Sequence, residues 1–226
     1  MTLEHDERYT RTRRSLHALA ELVVAGPRFR STGDLRLRVH GAGFGTWEDP
    51  VVAIEGGDLL AAGNRIAVDG LTYDEVAARA GLRASRLDDV YGDGPQVAIS
   101  ETAFVDAEAA VRLGEALVIG DRALADFRGS AERVLWPEHF DVAITVDDVT
   151  YGVSPGDAHS AAPYAYVGPS RPLPGEFWNA PFGASRALAE LGDAAGIAGF
   201  FRDGARLAAS SPQALSTDTS TPGGDR

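Results

Sequence analysis

The segment "YGVSPGDAH", Tyr151 to His159, sets Ser154 between Gly152 and Gly156. This Gly-x-Ser-x-Gly spacing can present a nucleophilic serine on a strained strand-to-helix turn. Just upstream, "WPEHFD" supplies Glu138, His139 and Asp141, and Asp157 and His159 close the segment. Serine, histidine and aspartate are the residue types of nucleophilic acyl transfer. Histidines with carboxylates can also hold a divalent metal or exchange protons as general acid and base. The elbow version of the serine chemistry meets an obstacle at Pro155. Its oxyanion hole needs the N–H of the residue after the serine, and proline has none. Nor does "GDAHSAAPYAYV" open a helix. An elbow-type hydrolase is therefore not expected.

The elements around these residues decide what they can do together. "FDVAITV" and "VTYGVSP" alternate apolar and polar residues on either side of Asp147-Asp148, which reads as an antiparallel hairpin with a two-residue turn. In that register Phe140, Val142, Ile144, Tyr151 and Val153 share the core face. His139, Asp141, Thr145 and Ser154 occupy the other. Asp141 pairs with Ser154, His139 lies diagonally from Ser154 within roughly 7–8 Å, and Glu138, Asp157 and His159 gather at the open end. A slip of one residue would dissolve the arrangement. Three readings stay open. The polar residues are a solvated strand face with a capped turn; or Glu138, His139, Asp157 and His159 hold a divalent metal or work as acid and base; or Ser154 is a nucleophile activated by His139 and Asp141.

Downstream, "PYAYVGPSRPLPGEFWNAPFGA" puts Tyr164 and Tyr166 on a short strand, followed by Phe177, Trp178, Asn179 and Phe182 in a proline-rich loop. Tyr164, Tyr166, Trp178 and Asn179 could line a small-molecule pocket. The aromatics could equally cap the core, and Asn179 could satisfy the loop's own backbone. Two other stretches carry less. "HGAGFGTW" has three glycines after a strand, but the third comes one residue early for a dinucleotide site and no helix follows, so it reads as a flexible connection. Asp88, Asp89 and Asp93 in "LDDVYGDG" suit a turn better than a calcium loop.

The runs "LWPEHFDVAI", "YGVSPGD", "PYAYVGP" and "FWNAPFGA", in that order, resemble a group of uncharacterised actinobacterial proteins of similar length. The matching positions are Trp136 to Asp141, then Gly152, Ser154, Pro155, Gly156 and Asp157, then Tyr164, Tyr166 and Phe177 to Ala184. The resemblance extends from about Asp89 to Ala184 and more weakly to the N-terminal half. It implies a GC-rich bacterial origin and carries no catalytic assignment.

The remaining elements frame this region. Residues 6–25 read as a helix ended by Gly26-Pro27, and "DLRLRVH" as a strand with Leu35, Leu37 and Val39 inward. "VVAIE", Leu59-Leu60 and "RIAVDG" make a meander, and Thr72 with Glu75 caps a short helix closed by Gly81. A helix from about Asp106 to Phe127 is expected, with a possible break at Gly120-Asp121. A helical region covers "GASRALAELGDAAGIAGFFRDGARLAA", in two pieces around Gly192-Asp193. From Ser210 the chain turns to Ser, Thr, Pro and Gly, which predicts disorder. The expected fold is α+β: antiparallel meanders packed on helices, with scope for two similar halves. Residues 1–87 would form the first unit, 88–209 the second, compact with the first, and 210–226 the tail.

Composition removes whole chemistries. All 21 basic residues are arginine, so Schiff-base and pyridoxal phosphate chemistry and a P-loop lysine are ruled out. No cysteine is present, so thiolate catalysis and iron–sulfur clusters are ruled out too. A formal charge of −12 argues against nucleic acid as a partner. Residues 1–40 nevertheless hold eight arginines against five acids, so the first helix could dock on an acidic body or bind an anion. No run approaches the roughly 18 apolar residues of a membrane span, and no secretory signal is visible. A cytoplasmic protein is expected. The function expected is binding of a small ligand or partner through the second meander and its aromatic loop. The alternative is a metal-assisted or acid–base hydrolase using His139, Asp157 and His159.

Overall fold

The computed structural model describes residues 3–210. The fold is α+β, with two five-stranded antiparallel sheets and helices packed across them. The anticipated tail from 210 onward lies outside the described residues except for Ser210, which ends the last helix.

Each sheet is a simple meander. The first runs β1 (Arg38–His40), β2 (Gly43–Gly45), β3 (Val52–Glu55), β4 (Asp58–Ala61), β5 (Asn64–Ala67). The second runs β6 (Val134–Trp136), β7 (Asp141–Val146), β8 (Val149–Ser154), β9 (Tyr164–Pro169), β10 (Ala184–Ala187). Leu37 and Leu135 exchange backbone hydrogen bonds, 3.1 and 2.8 Å long, and join the sheets where β1 meets β6. One buried cluster extends from Tyr9 to Phe201 through both.

Strand β2 replaces the flexible connection expected for the glycine-rich stretch. A methyl on Gly43 would lie 1.9 Å from the Ile54 carbonyl oxygen. Glycine there lets the chain pass close against β3, so the residues that suggested flexibility serve close backbone approach instead. The β7–β8 hairpin keeps the register predicted from its pattern, with Val146 opposite Val149 and Val142 opposite Val153. Asp147 and Asp148 have φ of 53° and 59°, the twist a two-residue hairpin needs.

Helix α1 (Leu3–Leu19) does not stop at Gly26-Pro27. It passes through a π-helical turn, Ala20–Ala25, into α2 (Gly26–Thr32). Pro27 has no N–H to continue the ladder, and the Leu22 carbonyl accepts from Ser85 N–H at 2.9 Å instead. Helix α3 (Tyr73–Arg79) carries the expected Thr72–Glu75 capping box. Helix α4 (Ala107–Arg128) is unbroken at Gly120. A methyl on Gly114 would lie 2.1 Å from the Ala42 carbonyl oxygen, beside the first sheet. One on Gly120 would lie 2.6 Å from Val153 Cβ in the second. Gly120 is thus a contact surface rather than a breaker. Residues 184–187, expected in a helix, form β10. Helix α5 (Leu188–Leu191) and helix α6 (Ala194–Ser210) follow on either side of Gly192-Asp193.

Candidate ligand site

Strand alternation divides the second sheet cleanly. Val142, Ile144, Tyr151, Val153, Ala165 and Val167 are buried in the core. The opposite face, Asp141, Ala143 and Thr145 on β7, Thr150 and Ser154 on β8, and Tyr164, Tyr166 and Gly168 on β9, lines a cleft of about 1130 Å³. Thr10, Arg13, Arg14 and His17 of α1 contribute to its rim. Loop residues Asp93, Gly94 and Pro95, turn residues Glu138, His139 and Phe140, Gly156, Asp157 and Ala158 after β8, and Trp136, Pro169 and Phe182 complete it. The polar strand face is therefore not simply solvated. It faces a recess slightly larger than the usual volume range of small-molecule sites.

Helix α1 fixes the loops at one end of this recess. Tyr9, Arg13 and His17, spaced by four and so on one helix stripe, each donate to a loop carbonyl. The Tyr9 hydroxyl donates to Pro155 at 2.7 Å and Arg13 Nη1 to Ala161 at 3.3 Å. His17 Nε2 donates to Pro137 at 2.8 Å and reaches the Glu138 carbonyl at 3.1 Å. The His17 ring stacks on Phe140 with centroids 5.4 Å apart. Burial pulls the pKa of His17 down to about 4, so the imidazole is neutral. Burial also lowers that of Arg13, which lies beside Asp157 and Tyr164. On neighbouring positions Thr12 Oγ1 accepts from Asp106 N–H and Ser15 Oγ from Phe104 N–H, each at 3.0 Å. The first helix does dock on an acidic body: Arg8 pairs with Asp106 and Arg14 with Glu101. Nothing in the sequence reading singled out Arg13 or His17; their four-residue spacing with Tyr9 was the available signal.

The Gly-x-Ser-x-Gly motif acquires a different meaning. Gly152 is directly opposite Tyr166. A methyl there would come within 2.5–2.6 Å of the Tyr166 ring and hydroxyl. The missing side chain lets that ring lie across β8 and extend its hydroxyl to Asp141 Oδ2, to which it donates. Gly156, at φ 109°, has Arg13 Nη1 2.5 Å from where a methyl would be. The two glycines make room for a tyrosine and an arginine.

Ser154, the candidate nucleophile, is 2% exposed, and its Oγ accepts the Gly156 N–H at 3.1 Å. Among the described residues, no histidine nitrogen is hydrogen-bonded to it; His17 and His159 bond elsewhere, and His139 lies 3.8 Å from Glu138. The Ser–His–Asp constellation is not formed. His139 sits in the β6–β7 turn and not on the strand face, because Phe140 adopts φ 53° and redirects the chain before β7 begins.

The four candidate metal ligands do not converge either. Glu138, His139 and Asp157 line the main cleft, and His139 lies 3.8 Å from Glu138. Asp157 is consumed by its own loop: Oδ1 accepts from the backbone of His159 and Ser160 at 2.7 and 3.1 Å, and Oδ2 from the Tyr164 hydroxyl at 2.6 Å. His159 points to a second, smaller recess, with Nε2 3.1 Å from Ser185 Oγ and its ring against Tyr164 and Phe182. Among the described residues, no group of three or more histidines and carboxylates could hold a metal.

Of the expected ligand contacts, Tyr164 and Tyr166 line the main cleft. Trp178 does not: it packs on Phe177, which packs in turn on Phe200, and so it covers the core. The Asn179 amide bridges the Ser185 backbone, Oδ1 accepting at 3.0 Å and Nδ2 donating at 3.3 Å, beside the second recess. Phe182, one of the loop aromatics expected either to line a pocket or to cap the core, lines the main cleft.

Asp141 is the unusual group. It is 5% exposed, yet it lines the cleft. Tyr166 serves one oxygen, while Oδ1, screened from bulk water, has no hydrogen-bond partner. Burial raises its pKa to about 6, against the smaller stabilising effects of the Tyr166 hydrogen bond and the nearby His139. The Tyr166 hydroxyl is held well above its ordinary range, by burial and then by the adjoining carboxylate. No family model, no curated protein and no solved structure matches this chain.

Proposed function

We propose that this chain binds a small organic molecule in the cleft between α1 and the outer face of the second sheet. The observation that carries the reading is Asp141 Oδ1, a buried acceptor without a partner in the wall of a large recess. Such an atom costs roughly 1–3 kcal/mol when left unpaired, and a donor brought in by a ligand would recover part of that. Tyr164, Tyr166, Phe182 and Trp136 supply the apolar surface that usually gives a ligand most of its affinity. Gly152, Gly156, Tyr9 and His17 support the cleft instead of filling it, which suits a site whose groups are held in place before binding.

A thermal-shift screen of small organic molecules tests this. Compounds that raise the melting temperature of the wild type should lose their effect in Thr145→Trp, which places an indole over the exposed floor of the cleft. Hits unaffected by Thr145→Trp would place binding elsewhere. An acid–base role is the second reading. Asp141, with its proton affinity raised toward neutrality, is a group suited to proton exchange. A bound compound chemically changed by the wild type and unchanged by Asp141→Asn would favour it.

A further inference from the structure

We propose that the ligand carries a protonated amine, seated between the Asp141 carboxylate and the aromatic corner of Tyr166 and Phe182; this rests on the ligand-site reading above. Three independent features of the cleft favour a cation.

The first is an unbalanced charge. Among the described residues, no arginine or histidine nitrogen lies within 4.0 Å of the Asp141 carboxylate, whose only side-chain donor is the neutral Tyr166 hydroxyl. A buried carboxylate without a cation is expensive, and a charged donor compensates it better than a neutral one. The second is that the cleft's own basic groups are already engaged: His139 lies 3.8 Å from Glu138. Arg14 is paired with Glu101. Arg13 donates to Ala161 and lies beside Asp157. His17 spends its Nε2 on loop carbonyls. An anionic ligand would have to compete for these groups and would meet Glu138 and Asp93 in the same lining. The chain's charge of −12 adds a field that attracts cations.

The third is ring geometry. Tyr166 and Phe182 stand at 79° to each other with centroids 6.1 Å apart. Tyr164 closes the corner, 6.3 Å from Tyr166 and 6.4 Å from Phe182. All three rings line the cleft, and an aromatic face attracts an ammonium group through its quadrupole.

Calorimetric titration at pH 8 and low salt with 2-phenylethylamine, 2-phenylethanol and 3-phenylpropanoate separates the possibilities. The amine is expected to bind at least about tenfold more tightly than the alcohol or the carboxylate. Asp141→Asn should remove about tenfold or more of that advantage, the scale of a charge-assisted hydrogen bond. Tyr166→Phe, which keeps the ring, should weaken the amine less. Melting temperatures of both variants establish that they fold. Equal affinity for amine and alcohol, or amine binding untouched by Asp141→Asn, would overturn the inference; so would the absence of binding by all three probes. If the alcohol or carboxylate binds best and Thr145→Trp abolishes it, the cleft is a site for another ligand class. Probe binding that survives Thr145→Trp would remove the cleft itself.

Discussion

Tyr166 reaches Asp141 only because residue 152 has no side chain, and that pairing sets the electrostatics of the cleft. Burial lifts the Asp141 carboxyl from its ordinary 3.8 to about 6, so the folded state holds this proton more tightly than the unfolded chain. The stability contributed by this group is full below about pH 4 and declines as pH rises through about 6. Asp141→Asn removes the titration. Relative to wild type, the variant should gain stability between pH 4 and pH 8, by at most about 3 kcal/mol at roughly 1.4 kcal/mol per tenfold change in proton affinity. Urea unfolding at the two pH values checks this; a difference independent of pH would contradict it. At this scale the sequence marked part of the strand face that lines the cleft, for a different reason. Asp141, Tyr164 and Tyr166 were named as site candidates, and Pro155 argued against an elbow. That Gly152 serves Tyr166 could not be read, because it depends on a pairing with a strand twelve or more residues away.

At the level of elements, short-range patterns were legible and close approaches were not. The β7–β8 register followed from alternation and the double aspartate, and the α3 cap from Thr72 and Glu75. Glycines mislead wherever they serve tertiary contact: Gly43 and Gly45 carry the pattern of a loop, and Gly120 that of a break in α4. Gly120→Ala offers a direct check. In an isolated helix the change would stabilise by about 1 kcal/mol. Here the new methyl meets Val153 and Val142 at 2.6 and 3.0 Å, and overpacking of this kind costs about 1–3 kcal/mol. A net loss of stability in urea unfolding is expected; a gain would mean that α4 does not approach β7 and β8 as described.

Across the whole molecule, the first helix joins distant parts of the chain. Through Tyr9, Arg13 and His17 it ties the β6–β7 turn and the β8–β9 loop, while Thr12 and Ser15 hold the segment before α4. The α+β architecture, its meanders and its helices could be anticipated, since each strand follows its neighbour through a short connection. The recess could not, because it exists only where a helix from residues 3–19 meets a sheet from residues 134–187. His17 links this assembly to pH with a sign opposite to Asp141. Its pKa falls from an ordinary 6.5 to about 4 on burial, so its contribution is full above about pH 6.5 and is lost as pH falls through about 4. His17→Gln, which retains a donor for Pro137 and cannot be protonated, should make melting temperature less sensitive to acid between pH 6.5 and pH 4. A steeper acid dependence than wild type would contradict this.

The cleft's standing as the binding site is tested most directly by amide NMR. Spectra of the ¹⁵N-labelled protein would be recorded during titration with 2-phenylethylamine and with hits from the thermal-shift screen. The largest shifts are expected at Asp141, Tyr164, Tyr166 and Phe182, with the same additions leaving Thr145→Trp unchanged. Shifts centred instead on His159, Asn179 and Ser185, around the second recess, would contradict it.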